Sequence, residues 1–319
     1  MKRVARLAAA FLLALSACAA GGVAVRVGAL KGPTGIGMAR LFEAPPGLPG
    51  GDTLALEAVA SADAMAARLV SGELDAAVLP VNMAAKLRTA GLPYRMVAVV
   101  GMGMVSVVTT DPAVKTFEDL KGRELHVAGQ GATPEYLLRA IARKKGLDPD
   151  KDLTLAFHLP PPEIAASLAA GRISAAVLPE PFATQALKGN PQARVPFSLE
   201  ALWKETTGRP GYPMSVFVMR DALLQERPKT AKALAGAYEA SIAWVKAHPA
   251  EAGTLAEKHD LGMKAAVAAA AIPRSAYVFT PARAARADME ALLSVFLAVS
   301  PKSIGGRLPG PDFYAEIPR

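Results

Sequence analysis

Two stretches of the chain carry the same rhythm of apolar and polar positions. Leu69-Val-Ser-Gly-Glu-Leu-Asp-Ala-Ala-Val-Leu-Pro80 returns as Leu168-Ala-Ala-Gly-Arg-Ile-Ser-Ala-Ala-Val-Leu-Pro179. Each copy predicts a helix end, then a glycine stop at Gly72 or Gly171, where a left-handed residue is wanted. A short run that is apolar at every position follows, Ala76–Leu79 or Ala175–Leu178, as expected of a strand covered on both faces. Two copies are too few for a solenoid. They imply two similar α/β halves with a strand end at the same place. Sheets of this kind bind ligands beyond the carboxyl ends of their strands, so two facing halves make a clamp.

The pattern around the copies fills in the halves. Strands are predicted at Val23–Leu30, Thr53–Ala60 and Tyr94–Val100. A Gly/Pro loop and a helix through Phe42 separate the first two, and Ser61 caps a helix running to Ser71. Helix also begins at Asn82 and stops at Gly91. After Val105–Thr110 a second series opens. Thr116–Asp119 reads as a capping box. Leu125–Ala128 and Leu153–Phe157 are strands. Thr133-Pro-Glu135 starts a helix with a capping hydroxyl, a proline and an acid in the first turn. Glu163–Ala170 and Pro181–Lys188 are helical. Tyr212–Arg220 is a return strand, and the rest is Ala-rich helix, with Leu234, Tyr238 and Val245 on a core face. Alternating strands and helices imply mostly parallel sheets. The chain crosses between halves near Gly103–Thr110 and again near Gly211–Arg220, which makes a hinge. The expected division is 18–104 plus 218–319 for one lobe and 105–217 for the other.

The N-terminus changes the picture. Lys2, Arg3 and Arg6 precede the apolar run Leu7–Leu15, which is too short to span a bilayer and reads as a signal peptide covering residues 1–17. It ends Leu15-Ser-Ala-Cys18, which resembles the lipobox of bacterial lipoproteins, in which the cysteine is lipidated. Cys18 is the one cysteine of the chain, so no internal disulfide competes for it. Loss of the three leader cations takes the formal charge from +8 to +5. The remaining basic residues are interspersed with acids and form no block with aromatics, which argues against nucleic acid as a partner.

Further motifs are Leu30-Lys-Gly-Pro-Thr-Gly-Ile-Gly-Met38, Phe117-Glu-Asp-Leu-Lys-Gly122, Gly129-Gln-Gly-Ala-Thr-Pro-Glu135, Pro179-Glu-Pro-Phe182 and Ser303-Ile-Gly-Gly306. In these the chain resembles the solute-binding lipoproteins of bacterial ABC importers, in the NitT/TauT-like branch that includes nitrate, sulfonate, taurine and thiamine-precursor binders. The resemblance implies a type II periplasmic-binding-protein fold, two α/β lobes joined by a two-crossing hinge. It also implies a monomeric receptor outside the cytoplasm, partnered by an ABC permease and its ATP-binding cassette subunit and anchored to the membrane through Cys18.

The residues themselves point to the same places. In Lys31-Gly32-Pro33-Thr34-Gly35 the glycines allow close backbone approach and the helix start attracts negative charge. Thr34 either caps that helix or donates to a ligand, and Lys31 either offsets a ligand charge or lies on the surface. Gln130, Gly131, Ala132 and Thr133 are the counterpart in the other half. Past the echoed prolines stand Asn82, a donor and acceptor or a helix cap, and Glu180, a carboxylate for an amine or half of a salt bridge. Gly101 could floor the cleft, and Phe182 and Tyr212 either stack on a flat solute or pack in the core. The four histidines lack metal-ligand spacing. There is no Gly-x-Ser-x-Gly elbow or ATPase phosphate loop, and no cofactor is implied. The expectation is a receptor for a small neutral, zwitterionic or heterocyclic organic solute. The alternatives are an oxyanion binder, an enzyme of cofactor-precursor biosynthesis on the same fold, and an adhesin or sensor that kept the scaffold.

Overall fold

A computed structural model describes residues 22–317 of the chain; the predicted leader and Cys18 lie outside the described residues. The first lobe opens with β1 (Ala24–Leu30), α1 (Pro33–Gly37), α2 (Ala39–Glu43), β2 (Thr53–Val59), α3 (Ala62–Val70), β3 (Ala76–Pro80), α4 (Val81–Thr89) and β4 (Tyr94–Met102). The second contains β5 (Val105–Thr109), β6 (Glu124–Val127), α5 (Thr133–Lys144), β7 (Thr154–Ala156), α6 (Pro161–Ala169), β8 (Ala175–Pro179), α7 (Phe182–Gly189), β9 (Arg194–Ser198) and α8 (Leu199–Thr207). The chain then returns through β10 (Pro213–Arg220), α9 (Asp221–Glu226), α10 (Pro228–Ala247), α11 (Pro249–Lys258), α12 (Ala265–Ala271), β11 (Tyr277–Pro281) and α13 (Ala282–Val299).

The echo is structural. β3 and β8 have the same sequence, Ala-Ala-Val-Leu-Pro, and the same burial at each position. Gly72 and Gly171 take φ of 75° and 69°, the left-handed region their place after a helix requires. The sheets run β11-β4-β10-β3-β1-β2 and β7-β6-β8-β5-β9. In both, the echoed strand lies parallel to one neighbour, β1 or β6, and antiparallel to one strand on its other side. That antiparallel strand is β10 in the first sheet and β5 in the second, the segment that immediately follows each crossing. The return to the first sheet therefore falls at Pro213, earlier than the boundary at 218 expected from the sequence.

Two edge strands escaped the sequence pattern. β9 contains Pro196, which an edge position tolerates and a central one does not. β11 is a short interruption in Ala-rich helix, paired only with β4. The helix expected to run through Phe42 breaks at Met38 into α1 and α2. The Thr116–Asp119 box is half formed. Asp119 Oδ2 accepts from the Thr116 N–H at 2.8 Å and from its hydroxyl at 3.0 Å, over a single 3-10 turn.

Apolar layers cover the first sheet on both faces. Met65, Leu69, Leu87 and Phe296 line one, and Ile36, Leu41, Leu234 and Tyr238 the other. The first of these layers runs on into the second lobe, where Tyr136 of α5 meets Phe296 of α13 at 5.1 Å between ring centres. Ser303-Ile-Gly-Gly306 forms a turn against α4. Thr89 Oγ1 donates to the Ile304 carbonyl at 2.8 Å, and Gly305 has a φ of 78° with no room for a Cβ beside Thr89.

Candidate functional site

The carboxyl end of β3 runs directly into α4, with Pro80 as the cap residue and Asn82 in the first turn. Across the cleft, β6 leads into α5 through Gly129-Gln130-Gly131, in which Gly129 and Gly131 both have positive φ. The two pieces meet. Asn82 Nδ2 donates to the Gly131 carbonyl oxygen at 3.1 Å, a hydrogen bond between lobes. Asn82, Gln130, Gly131 and Ala132 line one cavity of about 580 Å³. Its remaining wall comes from α3 (Ala62, Ala66, Val70), α4 (Met83, Leu87) and Ser303, with Lys86, Lys302 and Asp63 as its charged side chains.

The mouth of α5 is arranged differently from expectation. Thr133 is not the cap. Ala132 holds that position without a side-chain hydrogen bond, and Thr133 is buried as the first helical residue. The capping is done from three residues on, where Glu135 Oε2 accepts from the Gly131 N–H at 2.8 Å. Glu135 is itself held by Arg139 at 2.8 Å, and Arg139 reaches Asp150 at 2.5 Å. A carboxylate thus already occupies the partial positive charge of this helix start.

The loop between β1 and α1 is spent on its own lobe. Thr34 Oγ1 donates to the Leu30 carbonyl at 2.5 Å, the Gly32 N–H to Leu261 at 2.8 Å, and the Lys31 N–H to Val59 at 3.0 Å. Lys31 pairs with Asp260, and Gly35 packs beside Leu261. α1 is five residues long, too short to present much of a dipole.

Glu180 reaches the opposite lobe. Its carboxylate is 3 % exposed and accepts from Arg274 Nε at 2.6 Å and from the Thr184 N–H at 3.1 Å. Arg274 precedes β11 and belongs with the first sheet. The pair lines a second cavity, of about 240 Å³, with Gly103, Ser106, Ser198 and Glu200. Burial pushes the Glu200 carboxyl above its ordinary value. The other candidates serve packing. Gly101 lies under Ser215, Phe182 packs half-buried on the helix layer of the second lobe, and Tyr212 is fully enclosed with Trp203 edge-on at 5.9 Å. Burial raises the Tyr212 phenol well above its usual value.

The structure therefore gathers Asn82 and Gln130–Ala132 around one cavity, sets Glu180 beside another, and turns Lys31–Gly35 inward. Arg274, Lys86 and Lys302 were not picked out from the sequence. Arg274 stands 94 positions from Glu180 and no local pattern links them. Ser303 lay inside a motif noted above, and that was the available signal. Among the described residues no cluster of three or more His, Cys, Asp or Glu could hold a metal ion. None of their helices is long and apolar enough to cross a membrane.

Two sheets that share a five-strand order, the first with β11 added at its edge, each with its fourth strand inserted antiparallel, and a cleft between their strand tips define the two-lobed fold of the periplasmic binding proteins. The chain belongs to the NMT1-like family, whose model matches residues 39–258. It is similar to the structure of an ABC transporter protein from Parabacteroides distasonis, at 27 % identity, a TM-score of 0.80, and coverage of 92 % of this chain and 99 % of that one. The periplasmic aliphatic sulphonate binding protein SsuA of Escherichia coli superposes with a TM-score of 0.70 at 19 % identity, over 90 % of this chain and 91 % of its own. The periplasmic nitrate-binding protein NrtA of Synechocystis PCC 6803 does so with a TM-score of 0.56 at 19 % identity, over 77 % and 69 %. Among curated proteins it matches the nitrate import ATP-binding protein NrtC of Synechocystis, 30 % identical over 133 residues. That match takes in 39 % of this chain and 19 % of the length of NrtC.

Proposed function

We propose that this chain is the extracytoplasmic solute receptor of an ABC importer. One observation carries the reading. The start of α4 and the loop before α5, both at strand tips and in opposite lobes, face each other across a single cavity and are joined by the Asn82–Gly131 hydrogen bond. A cavity of this size suits a small organic molecule. Closure of the lobes over a solute hides it from water and creates a composite surface that a permease reads. The similarity to binding proteins of importers supports the same partners, a permease with its ATP-binding cassette subunit. The Leu15–Cys18 motif supports anchoring by lipid at Cys18, with the receptor acting as a monomer on the outer face of the membrane and not as an enzyme.

A neutral or zwitterionic solute fits the charges better than a bare oxyanion. Glu135 fills the α5 mouth that an oxyanion would use, and Asp63 stands with Lys86 and Lys302 on the wall of the same cavity. Native mass spectrometry of freshly purified protein should show a small molecule bound in stoichiometric amount. Adding that molecule back to stripped protein should raise the melting temperature, the stabilisation reaching about 2.7 kcal/mol at a hundredfold excess over Kd. Protein shown to be free of solute that gives no thermal shift across a broad solute library would overturn the receptor reading.

A further inference from the structure

The 240 Å³ cavity shares no lining residue with the larger one. It lies against the hinge. Gly103, Met104 and Val105 of the first crossing line it. Gly211 of the second crossing adjoins Glu200, where a Cβ would stand 3.3 Å from Oε1. Ser106 of β5 and Ser198 of β9 are paired in register, so their side chains leave the same face of the sheet. Ser198 Oγ accepts from the Ala201 N–H at 3.1 Å and keeps its own proton to donate. Ser106 is 9 % exposed, and its hydroxyl has no partner among the described residues, yet it is not one of the unpaired atoms shut off from solvent. The little surface Ser106 keeps is cavity lining.

The charges in this cavity do not balance. Glu180 is matched by Arg274, which donates to it from Nε at 2.6 Å. Glu200, half-buried in the first turn of α8, has no hydrogen bond or ion pair among the described residues. Burial pushes its carboxyl upward and no neighbouring cation opposes the push. A carboxylate drawn out of water without a partner is disfavoured, and a bound cation removes the penalty. We propose that the cavity is a second binding site, for a compact organic cation bearing an ammonium group and a neighbouring hydroxyl. The ammonium pairs with Glu200, and the hydroxyl exchanges hydrogen bonds with Ser106 and Ser198. Sites for drug-sized ligands begin at about 300 Å³, so this one suits a molecule of a few heavy atoms. It stands apart from solute capture in the larger cavity. Its walls come from both lobes, Arg274 from the first and Ser106, Ser198 and Glu200 from the second, so an occupant favours the closed arrangement.

Ethanolamine and ethylene glycol match in size and differ in the ammonium group, so they make the test. Each is titrated into the purified protein at low salt and read by saturation-transfer NMR. Ethanolamine should bind about tenfold more tightly than ethylene glycol, as a charge-assisted hydrogen bond requires. Glu200→Gln keeps the shape of the side chain and should remove that advantage. Ser106→Ala should weaken both probes about threefold. Asp63→Asn, which neutralises the carboxylate lining the larger cavity, should leave the ethanolamine affinity unchanged. Circular dichroism and a thermal melt confirm that the three variants fold. Equal binding of the two probes, no binding of ethanolamine, or an advantage that survives in Glu200→Gln overturns the second site. So does an advantage that disappears in Asp63→Asn, or wild-type binding by Ser106→Ala. None of these results touches the receptor reading, which stands or falls with the solute library.

Discussion

The two lobes place different side chains at the same point of the same frame. Counting from the shared Ala-Ala-Val-Leu-Pro strand, Glu180 stands where the first lobe has Val81. Val81 is fully buried among hydrocarbon, and Glu180 is buried to within a few per cent of the same degree. A carboxylate cannot stay charged in such a position without partners. The second lobe supplies one from its own helix, the Thr184 N–H, and takes the other, Arg274, from the opposite lobe. In the first lobe the crossing is made one residue later, by the neutral Asn82. So one strand tip closes the cleft with an ion pair and the other with an amide. The shared frame sets where a side chain can cross, and the residue after the proline sets how strongly.

Breaking the ion pair should have the largest effect. Arg274→Ala leaves Glu180 with the Thr184 N–H alone. Breaking a buried pair from one side costs about 3–5 kcal/mol, and Arg274 lies half in water, so about 3 kcal/mol is expected for the closed form. Opening lets water reach Glu180 and limits the cost, so the variant should show a larger radius of gyration in X-ray scattering than wild type. The double variant Glu180→Val with Arg274→Met converts the second tip to the chemistry of the first. It should unfold in urea within about 1 kcal/mol of wild type, since an apolar replacement of a buried pair is often neutral. A double variant as unstable as Arg274→Ala would mean that the pair holds the fold itself.

The division into lobes was legible because its signals are local. A glycine stop, four apolar residues and a proline are contained in a dozen positions, and they repeat. The bonds that close the cleft were not legible, because each joins segments far apart in the chain, Asn82 with Gly131 and Glu180 with Arg274. Thr34 shows the converse problem. A hydroxyl in a Gly-Pro-Thr-Gly loop has the same local signature whether it faces a ligand or, as here, the Leu30 carbonyl. The β9 and β11 strands went unread because β9 carries Pro196, β11 lacks alternation, and both sit on sheet edges, where pairing on one side suffices.

The comparison extends to the strand paired in parallel with each echo, β1 and β6. Gly28 of β1 stands opposite Ala77, and His126 of β6 stands opposite Ala176, the same position of the echo. Gly28 is bare because α3 lies close over it. A Cβ there would sit 2.8 Å from both Leu74 Cδ1 and Met65 Sδ. Gly28→Ala should therefore cost about 1–2 kcal/mol in urea unfolding, limited by the freedom of the Met65 side chain to move. In a Met65→Ala background, itself destabilised because Met65 is fully buried, Gly28→Ala should cost less than it does in the wild-type chain, and an unchanged cost would point to the backbone as the obstacle.

The second lobe fills the equivalent place with an imidazole, and this gives the smallest and most specific effect. His126 is buried against His158, with ring centres 5.3 Å apart in an edge-on arrangement. Burial holds its pKa below the ordinary value of 6.5, against the opposing pull of Glu124, whose carboxylate is 3.8 Å from Nε2. The unfolded chain consequently takes up the proton first as the solution is acidified. Well above pH 6.5 His126 adds no pH dependence to the unfolding free energy. As the pH falls through 6.5 toward the depressed folded value, stability declines. Gly28 has no counterpart to this titration, so the decline belongs to the second lobe. His126→Gln should flatten the fall in urea midpoint measured on either side of pH 6.5. An unchanged fall would assign it to carboxylates elsewhere and leave β1 and β6 alike in their response to acid.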